Sequence, residues 1–390
     1  MPRLRKSRTT PHKAGARLAR AKPRAAVKQL GEIGLIERII ARFTSGVRAG
    51  KSVVVGPGDD AAVLDLGGRS RLVLTTDMLV EGVHFRLEWS YPEAVGFKSV
   101  VANLSDIAAM GATPVGIVVC LGVPPTLPVS AVDGLYRGMT RALSLFGGEL
   151  LGGDTVRADA ITLGVSAIGM LASSSPTLRS GARPGDKVCV TGALGGSQAG
   201  LLLLDKYFGS AENRRGERRI RSFRGWVKRE ADDFRRKLPA SIRGNGFLCI
   251  LRHLTPVPRV REAGIIAGFK PSSMIDISDG LAADVFQIAR ASGVGFRILE
   301  DALPVSGSVR SIAQFLGTSP GALALASGEE YEILLTIRPE RLSRLARTLP
   351  KHSSIALTVI GEVTEARERV LLAGRRGNPR TLSELGYRHF

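Results

Sequence analysis

Apolar and polar residues alternate along the chain in patterns that predict strands and helices in succession. Between residues 31 and 40 (GEIGLIERII), the apolar positions recur at helical spacing. Short apolar or β-branched runs bounded by Gly or Pro are typical of strands, which we expect at 51–55, 71–75, 115–124, 149–159 and 160–171. The strand at 149–159 is expected to run into a turn at Gly152-Gly153-Asp154. Longer segments predict helices at 95–114 and 128–147.

The second half of the chain is built in the same style. Residues 185–204 predict a strand, a Gly-rich turn and a helix, and residues 273–293 predict a strand end, an acidic turn and an amphipathic helix. A chain of 390 residues is long enough for two domains with substantial cores. We therefore predict a mixed α/β (α+β) fold with two domains, at 30–172 and 180–390.

A net charge of +20 is typical of a protein with a polyanionic partner, but the basic residues of this chain are not evenly distributed. Residues 1–28 hold ten Lys/Arg and no Asp/Glu, and residues 206–243 hold thirteen Lys/Arg and five Asp/Glu. These two segments account for +18 of the net charge, so the rest of the chain is nearly neutral. The charge therefore belongs to two local segments and does not indicate a basic domain.

Each basic segment has more than one interpretation. The tail at 1–29 has few large apolar residues and is expected to be disordered, as a solvated tail, a weak polyanion-binding arm or a transit peptide. The segment at 206–245 contains Phe223, Trp226 and Phe234, and it is either a surface insertion or a contact for a partner or RNA. Binding of nucleic acid through these segments stays a secondary hypothesis.

The three cysteines, Cys120, Cys189 and Cys249, are far apart and form no CxxC pair. This usage favours a reducing compartment, the cytoplasm, and gives no structural zinc site. No apolar run approaches the roughly 20 residues that span a bilayer, and the N-terminus lacks the apolar core of a signal peptide.

Aspartates recur beside Gly, Ser or Thr, at positions where turns or helix starts are expected. One such Asp is usually a cap or turn residue, but a whole set of oxygen ligands almost free of His and Cys suits a hard cation such as Mg²⁺. Crowded carboxylates also repel one another unless cations neutralise them. The set comprises Asp59, Asp60, Asp77, Asp106, Asp154, Asp276, Asp279 and Asp284.

Sequence motifs of other nucleotide and hydrolytic enzymes do not occur in the chain. It has no GxxxxGK[ST], no protein-kinase catalytic motifs and no GxSxG. The segment TGALGGSQAG (191–200) is similar to a phosphate loop but lacks the GxGxxG spacing. It is either a phosphate-binding turn or a site of tight strand–helix packing.

An ordered series of motifs identifies a family. The chain resembles the thiamine-monophosphate kinases of the aminoimidazole-ribonucleotide-synthetase-like superfamily over residues 30–390, apart from the basic insertion. The motifs are GPGDDAAV, TTDMLVEGVHF, KSVVANLSDIAAMGATP, GGDTVR, SGARPGDKVCVTGALGGSQAGL, RHLTPVPRV, DISDGLAAD, SGEEYEI and GYRHF. The resemblance implies ATP- and Mg²⁺-dependent phosphorylation of thiamine monophosphate to thiamine diphosphate. It also implies a homodimer joined through its N-terminal sheets.

The resemblance also implies roles for individual residues. Metal ions would be held by Asp60, Thr75, Thr76, Asp77, Asp106, Asp154, Asp276 and Asp279, with Asp106 bridging several ions, while Asp59 supports the turn. ATP would contact Tyr136, Gly153, Arg157 and Ser278. The thiamine moiety would contact His84, Glu329 and Tyr387. Asp106 and Arg157 are the residues expected to act in phosphoryl transfer.

The chain departs from the family pattern at one of these motifs. The family usually has Gly-Gly-Glu-Asp-Tyr-Glu where this chain has Ser327-Gly328-Glu329-Glu330-Tyr331-Glu332. Ser327 replaces a glycine that we expect to need a positive φ, which makes the geometry around Glu329 uncertain. A selenophosphate or purine-pathway synthetase of the same superfamily is the alternative function, although no Cys lies near the N-terminal Gly-rich segment.

Overall fold

The computed structural model describes residues 27–43, 52–68, 70–171, 175–209, 234–367, 369–374 and 379–387. Most of the basic tail and residues 210–233 of the basic insertion, with Phe223 and Trp226, lie outside the described residues, as do the predictions made for them. The chain divides into a small unit that holds α1 (Val27–Phe43) and a larger unit spanning residues 48–387. Helix α1 confirms the helix predicted at 31–40 and has a kink at Gly31 (φ 68°).

The first sheet of the larger unit has six strands in the order β1-β2-β3-β6-β4-β5. Strands β3 and β6 pair antiparallel from Arg71 opposite Leu171 to Val80 opposite Thr162, whereas β4 and β5 pair in parallel. The strands are β1 (Val53–Val55), β2 (Ala62–Leu64), β3 (Arg71–Val80), β4 (Thr113–Val123), β5 (Glu149–Arg157) and β6 (Thr162–Leu171). Each strand expected in this half is present, and β3 is longer than expected.

Two helices, α2 (Pro92–Ala109) and α3 (Val129–Phe146), pack tightly against each other. A Cβ atom at Gly96 would lie 1.9 Å from the carbonyl oxygen of Leu135, and one at Gly138 would lie 2.0 Å from that of Glu93. Glycine is therefore required at this crossing because no side chain fits between the backbones. Helix α2 packs on β3, β4 and β6 and also contacts β8 of the second sheet, so it connects the two sheets.

The second sheet has seven strands in the order β13-β12-β9-β11-β7-β10-β8. Its strands are β7 (Lys187–Thr191), β8 (Ser273–Asp276), β9 (Gly295–Leu299), β10 (Ile333–Ile337), β11 (Leu357–Thr364), β12 (Val370–Ala373) and β13 (Arg380–Thr381). The helices of this half are α4 (Gly196–Phe208), α5 (Arg243–Leu254), α6 (Val260–Gly268), α7 (Leu281–Ser292), α8 (Gly307–Leu316), α9 (Pro320–Ala326) and α10 (Pro339–Thr348). The predicted mixed α/β fold is confirmed.

Two local predictions were wrong. The helix expected to reach Pro114 ends at Ala109, because Gly111 adopts a left-handed φ of 73° and the chain then enters β4. The turn expected at Gly152-Gly153-Asp154 is instead part of β5, where Gly153 lies opposite Val119 of β4. A Cβ atom at Gly153 would lie 2.1 Å from the carbonyl oxygen of Val119, so this glycine serves a close strand approach and not a turn.

Among the described residues, no helix combines the length and the apolar character that crossing a membrane requires.

Candidate functional site

Three carboxylates from distant parts of the chain meet in one group. Asp60 follows the glycine-rich loop after β1, Asp106 lies on α2, and Asp276 is the last residue of β8. One oxygen of each lies within 4.8 Å of those of the other two. Asp60 is 6% exposed and Asp276 is 1% exposed. The structure therefore brings together three of the predicted metal ligands, from both sheets and from the helix between them.

Neighbouring side chains fix the orientation of these carboxylates. The Thr75 hydroxyl donates a hydrogen bond to Asp106 Oδ2 (2.7 Å), and the Ser105 hydroxyl donates one to Asp276 Oδ2 (2.6 Å). Arg179 donates to Asp60 Oδ1 through Nε (3.0 Å) and Nη2 (2.6 Å). Hydrogen bonds of this kind limit carboxylate rotation, so the group is ordered before any ligand binds.

Burial and mutual repulsion raise the proton affinity of the group. Burial raises the pKa of Asp60 to about 6, even though Arg179 acts to lower it. Burial and the charge of Asp60 raise the pKa of Asp276 to about 8. The pKa of Asp106 lies well above its usual value, because of burial and then the charges of Asp77, Asp276 and Asp60. Without a cation, Asp276 therefore retains a proton near neutral pH, and Asp60 retains one only in mildly acidic solution.

The group has the properties of a binding site for a hard divalent cation. Asp60 Oδ2 is buried and has no hydrogen-bond partner among the residues that the structure describes. A buried carboxylate oxygen without a partner is costly unless a ligand satisfies it. The donors are all oxygen atoms, which Mg²⁺ prefers. The residues present therefore fit a Mg²⁺ ion.

Of the remaining predicted metal ligands, Asp77 and Asp279 lie near the group. The Asp77 peptide N–H donates to Asn103 Oδ1 (3.1 Å), which ties β3 to α2. Burial, and then the neighbouring charge of Asp279, raise the pKa of Asp77 to about 6. Asp279 follows Asp276, the last residue of β8, by three positions, and its charge acts on Asp77 of the first sheet.

The structure does not bring Thr76 and Asp154 to the group through their side chains. Thr76 is exposed on the opposite face of β3 from Thr75, since strand residues alternate, and its hydroxyl donates to Val165 O (3.1 Å). Asp154 is exposed on β5 and accepts a hydrogen bond from the next peptide N–H, that of Thr155 (2.8 Å). The geometry therefore does not support a metal role for the Thr76 hydroxyl.

The residues predicted to contact ATP are spread over several elements. Gly153 and Arg157 lie on β5, in which every residue is exposed. Tyr136, on α3, is partly buried against the core of the first sheet. Ser278 lies in the acidic turn after β8, and its carbonyl oxygen accepts a hydrogen bond from the Glu329 N–H (2.7 Å). The structure describes each position but brings only Ser278 to the acidic group.

The three residues predicted to contact the thiamine moiety converge on that same turn. Glu329 is tethered to Ser278, and the Tyr387 N–H donates to the carbonyl oxygen of Asp279 (3.1 Å). The rings of His84 and Tyr387 are 6.4 Å apart at an angle of 48°, and 48% of Tyr387 is exposed. An open aromatic pair thus stands beside the carboxylate group.

The two departures from the family pattern contact each other. Ser327 has φ −75°, so this position does not require glycine; the left-handed residues are Glu329 (φ 54°) and Tyr331 (φ 53°). The Ser327 hydroxyl donates to Glu330 Oε1 (2.5 Å), which also accepts from the Ser197 N–H (3.1 Å). The longer Glu330 and the added hydroxyl therefore compensate for each other at the start of α4.

The same contacts decide between the two interpretations of TGALGGSQAG. The N–H groups of Ser197 and Gln198, in the first turn of α4, bond to Glu330 Oε1 and to the Ser327 hydroxyl. A Cβ atom at Gly200 would lie 2.2 Å from the carbonyl oxygen of Cys249. The segment therefore serves tight packing, because internal side chains already occupy the N–H groups that a phosphate would need.

The structure adds site residues that the motifs did not single out. Arg179, in the connection between the sheets, pairs with Asp60, and its N–H donates to the Asp59 carboxylate (3.2 Å). This contact gives Asp59 the supporting role that was predicted for it. Lys98 on α2 pairs with Glu329 (2.8 Å). Lys98 is the single basic residue of α2, in which most residues are apolar or small, and this was the available signal for it. Arg179 had no comparable local signal.

Comparison with known proteins gives two matching family models and similar thiamine-monophosphate kinases. The chain matches the family models "AIR synthase related protein, N-terminal domain" over residues 58–171 and "AIR synthase related protein, C-terminal domain" over residues 252–373. The thiamine-monophosphate kinase of Mycobacterium tuberculosis is 36% identical over 309 residues, covering 79% of this chain and 81% of that protein. That of Aquifex aeolicus is 34% identical over 364 residues, covering 93% and 99%.

A solved structure described as "AaThiL complexed with AMPPCP and TMP" is also similar to this chain. It superposes with a TM-score of 0.73 at 32% sequence identity, covering 95% of this chain and 100% of that one.

Proposed function

The chain belongs to the thiamine-monophosphate kinase family of AIR synthase related proteins, and we propose that it transfers the γ-phosphoryl group of ATP to thiamine monophosphate. The products are thiamine diphosphate and ADP. The observation that supports this most directly is the acidic turn after β8. It contributes Asp276 to the carboxylate group and carries, through Ser278 and Asp279, the backbone contacts of Glu329 and Tyr387.

The chemistry requires positioning more than proton transfer. The acceptor is a phosphate that is already anionic near pH 7, so no general base is needed. The main obstacle is repulsion between two polyanions, which positioning and charge neutralisation overcome. His84 and Tyr387 provide an aromatic surface for the cationic ring of thiamine. Arg157, exposed on β5, is proposed to contact phosphate oxygens.

Mg²⁺ is the cation that we propose for the carboxylate group. Asp60, Asp106 and Asp276 would hold it, with Asp77 and Asp279 close enough to take part in binding further ions. Bound Mg²⁺ supplies neutralisation of phosphate charge. Thr75 and Ser105 keep the carboxylates oriented for this purpose through their hydrogen bonds to Asp106 and Asp276.

The test is a kinase assay on the purified full-length chain. With ATP, Mg²⁺ and thiamine monophosphate, we expect thiamine diphosphate and ADP in equal amounts, measured by chromatography. Thiamine in place of thiamine monophosphate is the control acceptor and should yield no diphosphate. Failure to form thiamine diphosphate with Mg²⁺ present would overturn the proposed function.

We also propose that the chain forms a homodimer through its first sheet. Strand β5 is the last strand of that sheet, and every one of its residues is exposed. Apolar side chains are also exposed on β3 of the same sheet, with Met78 59% and Leu74 39% exposed. An apolar sheet surface that ends in an open edge is typical of a strand-mediated interface.

No observation in the described part of the chain favours a selenophosphate synthetase, a purine-pathway synthetase or a nucleic-acid-binding protein over this kinase. The basic segments on which the nucleic-acid hypothesis depends lie largely outside the described residues. The cytoplasmic location inferred from the cysteines stays a prediction.

A further inference from the structure

Lys98 is a buried cation that belongs to neither the metal ligands nor the predicted substrate contacts. It lies on α2, only 3% of the residue is exposed, and its ammonium group donates to Glu329 Oε2 (2.8 Å). Lysine is rarely buried, because removing its charge from water is costly unless a partner compensates. An apolar residue at this position would often give equal or greater stability than a buried ion pair. The pair of Lys98 and Glu329 therefore points to a functional purpose.

His253, on α5, completes the contact from the other side. It is 3% exposed; its Nε2 lies 3.4 Å from Lys98 Nζ, and its Nδ1 lies 3.3 Å from Glu329 Oε2 and 3.1 Å from the Ser197 hydroxyl. An ammonium group can only donate, so Nε2 accepts and the proton of the neutral ring is on Nδ1. The Nδ1–H therefore hydrogen-bonds to the Ser197 hydroxyl and lies close to Glu329 Oε2, so His253 places a neutral N–H beside this carboxylate and does not add a charge.

Lys98 and His253 both contact the Glu329 carboxylate through only one of its two oxygens. Both contacts fall on Oε2, and Oε1 makes no hydrogen bond within the described residues. The side chain is 27% exposed, and its backbone is in the left-handed region (φ 54°), a conformation that costs energy for a residue with a side chain. The surrounding structure maintains this cost and holds the carboxylate through Oε2, while Oε1 takes part in neither contact.

Helix α2 links this carboxylate to the acidic group. Lys98 and Asp106 lie on the same helix, eight residues apart, which is about 12 Å along its axis at roughly 1.5 Å per residue. The helix is buried along almost its whole length. Because a packed helix is rigid, the Lys98 contact fixes the Glu329 carboxylate relative to Asp106 through α2, in addition to the backbone bond of Glu329 to Ser278.

We propose that Lys98 and His253 are positioning residues for the acceptor substrate, holding Glu329 so that its Oε1 accepts a hydrogen bond from the heterocyclic part of thiamine monophosphate at a set distance from the acidic group. This inference rests on the proposed function. It assigns the two residues to binding of one substrate only, because neither contacts the carboxylates of Asp60, Asp106 or Asp276 within the described residues.

Calorimetric titration of the full-length chain with thiamine monophosphate, together with steady-state kinetics, tests the inference. Lys98→Met keeps the length of the side chain but removes its charge. We expect the Kd and the KM for thiamine monophosphate to rise roughly 10- to 100-fold, the range for a lost hydrogen bond to a charged group. The KM for ATP should remain within about threefold of the wild type, since ATP is held elsewhere. Lys351→Met, at an exposed lysine, is the matched control.

A second pair of variants separates positioning from folding. His253→Asn retains an N–H donor near the place of Nδ1 and should preserve most of the affinity for thiamine monophosphate, whereas His253→Leu should lose it. Circular dichroism and thermal unfolding establish that each variant is folded. If Lys98→Met fails to fold, the His253 pair alone decides the outcome.

The possible results are distinguishable. Wild-type protein that binds no thiamine monophosphate would overturn the proposed function itself. Folded Lys98→Met or His253→Leu that binds thiamine monophosphate as tightly as the wild type would overturn the positioning role while leaving the kinase function intact. An equal rise in the KM of both substrates would also overturn it, because a general disturbance of the fold predicts that result.

Discussion

Asp106 lies among like charges, with Asp60, Asp77 and Asp276 all raising its pKa in addition to the effect of burial. Such an arrangement is unfavourable for the folded chain without a cation, because each ionised carboxylate repels the others. The hydrogen bond from the Thr75 hydroxyl opposes this effect, because it favours the charged form of Asp106. Stability is thus given up at this residue, which is the cost expected of the proposed metal site.

Replacement of Asp106 by Asn separates these two effects. Asp106→Asn should lower kcat by roughly 100-fold or more, as for other lost electrostatic contacts to a reacting group. The melting temperature of the metal-free protein should stay the same or rise, since the amide removes a repelling charge and still accepts from Thr75. Kinase assays and calorimetry measure both quantities. Asp133→Asn, at an exposed position of α3, is the matched control, and near-normal turnover by Asp106→Asn would exclude Asp106 from metal binding.

Among the secondary-structure elements, β5 departs most from what its sequence suggested. Two glycines and an aspartate are typical of a turn, yet they continue a nine-residue strand that pairs with β4. The pairing has a register shift between Ile117 and Val118, and Gly152 has a φ of 154°. Long-range strand pairing outweighs the local preference for a turn, and the resulting edge strand exposes Leu150 and Leu151.

The open edge of β5 leads to a prediction about assembly. Sedimentation velocity should give the mass of a dimer at micromolar concentration, and Leu151→Lys should shift the chain toward the monomer, because a charge on an edge strand opposes pairing with another copy. Val129→Lys changes an apolar residue on α3 that is more exposed than Leu151 (77% against 51%), and it should leave the dimer intact. A monomeric wild type, or a Leu151→Lys protein that remains fully dimeric, would contradict the interface.

Across the whole molecule, the acidic group makes stability depend on both pH and metal. Burial raises the pKa of Asp276 to about 8 and that of Asp60 to about 6 in the folded chain, against an ordinary value of 3.8. Between the ordinary pKa of 3.8 and the raised pKa of each group, the folded chain keeps protons that the unfolded chain has released. Stability therefore falls as pH rises through this range. A cation that replaces the protons reverses the effect.

Thermal unfolding tests this dependence directly. In EDTA, the melting temperature should decrease from pH 6 to pH 8, and added Mg²⁺ should raise it more at pH 8 than at pH 6, because fewer protons compete for the carboxylates. Asp106→Asn should weaken the response to Mg²⁺. A melting temperature in EDTA that rises between pH 6 and pH 8 would show that the group is not buried as described.

The sequence by itself determined the fold class, most strands and helices, and the family, because these depend on local periodicity and on motifs in a fixed order. It also marked most of the acidic residues, since Asp beside Gly or Ser is a local feature. It did not separate Thr75 from Thr76, although strand alternation places only the Thr75 hydroxyl beside Asp106.

Only the tertiary structure decided which groups meet. Arg179 reaches Asp60 across 119 residues of sequence, and Lys98 reaches Glu329 across 231. Burial and neighbouring charge set the pKa values of these groups, and both depend on how remote segments pack. The positive φ of Glu329 was likewise hidden, because the expected left-handed position was Ser327. Local sequence thus supplied the carboxylates, and packing around α2 gave them their partners and their proton affinities.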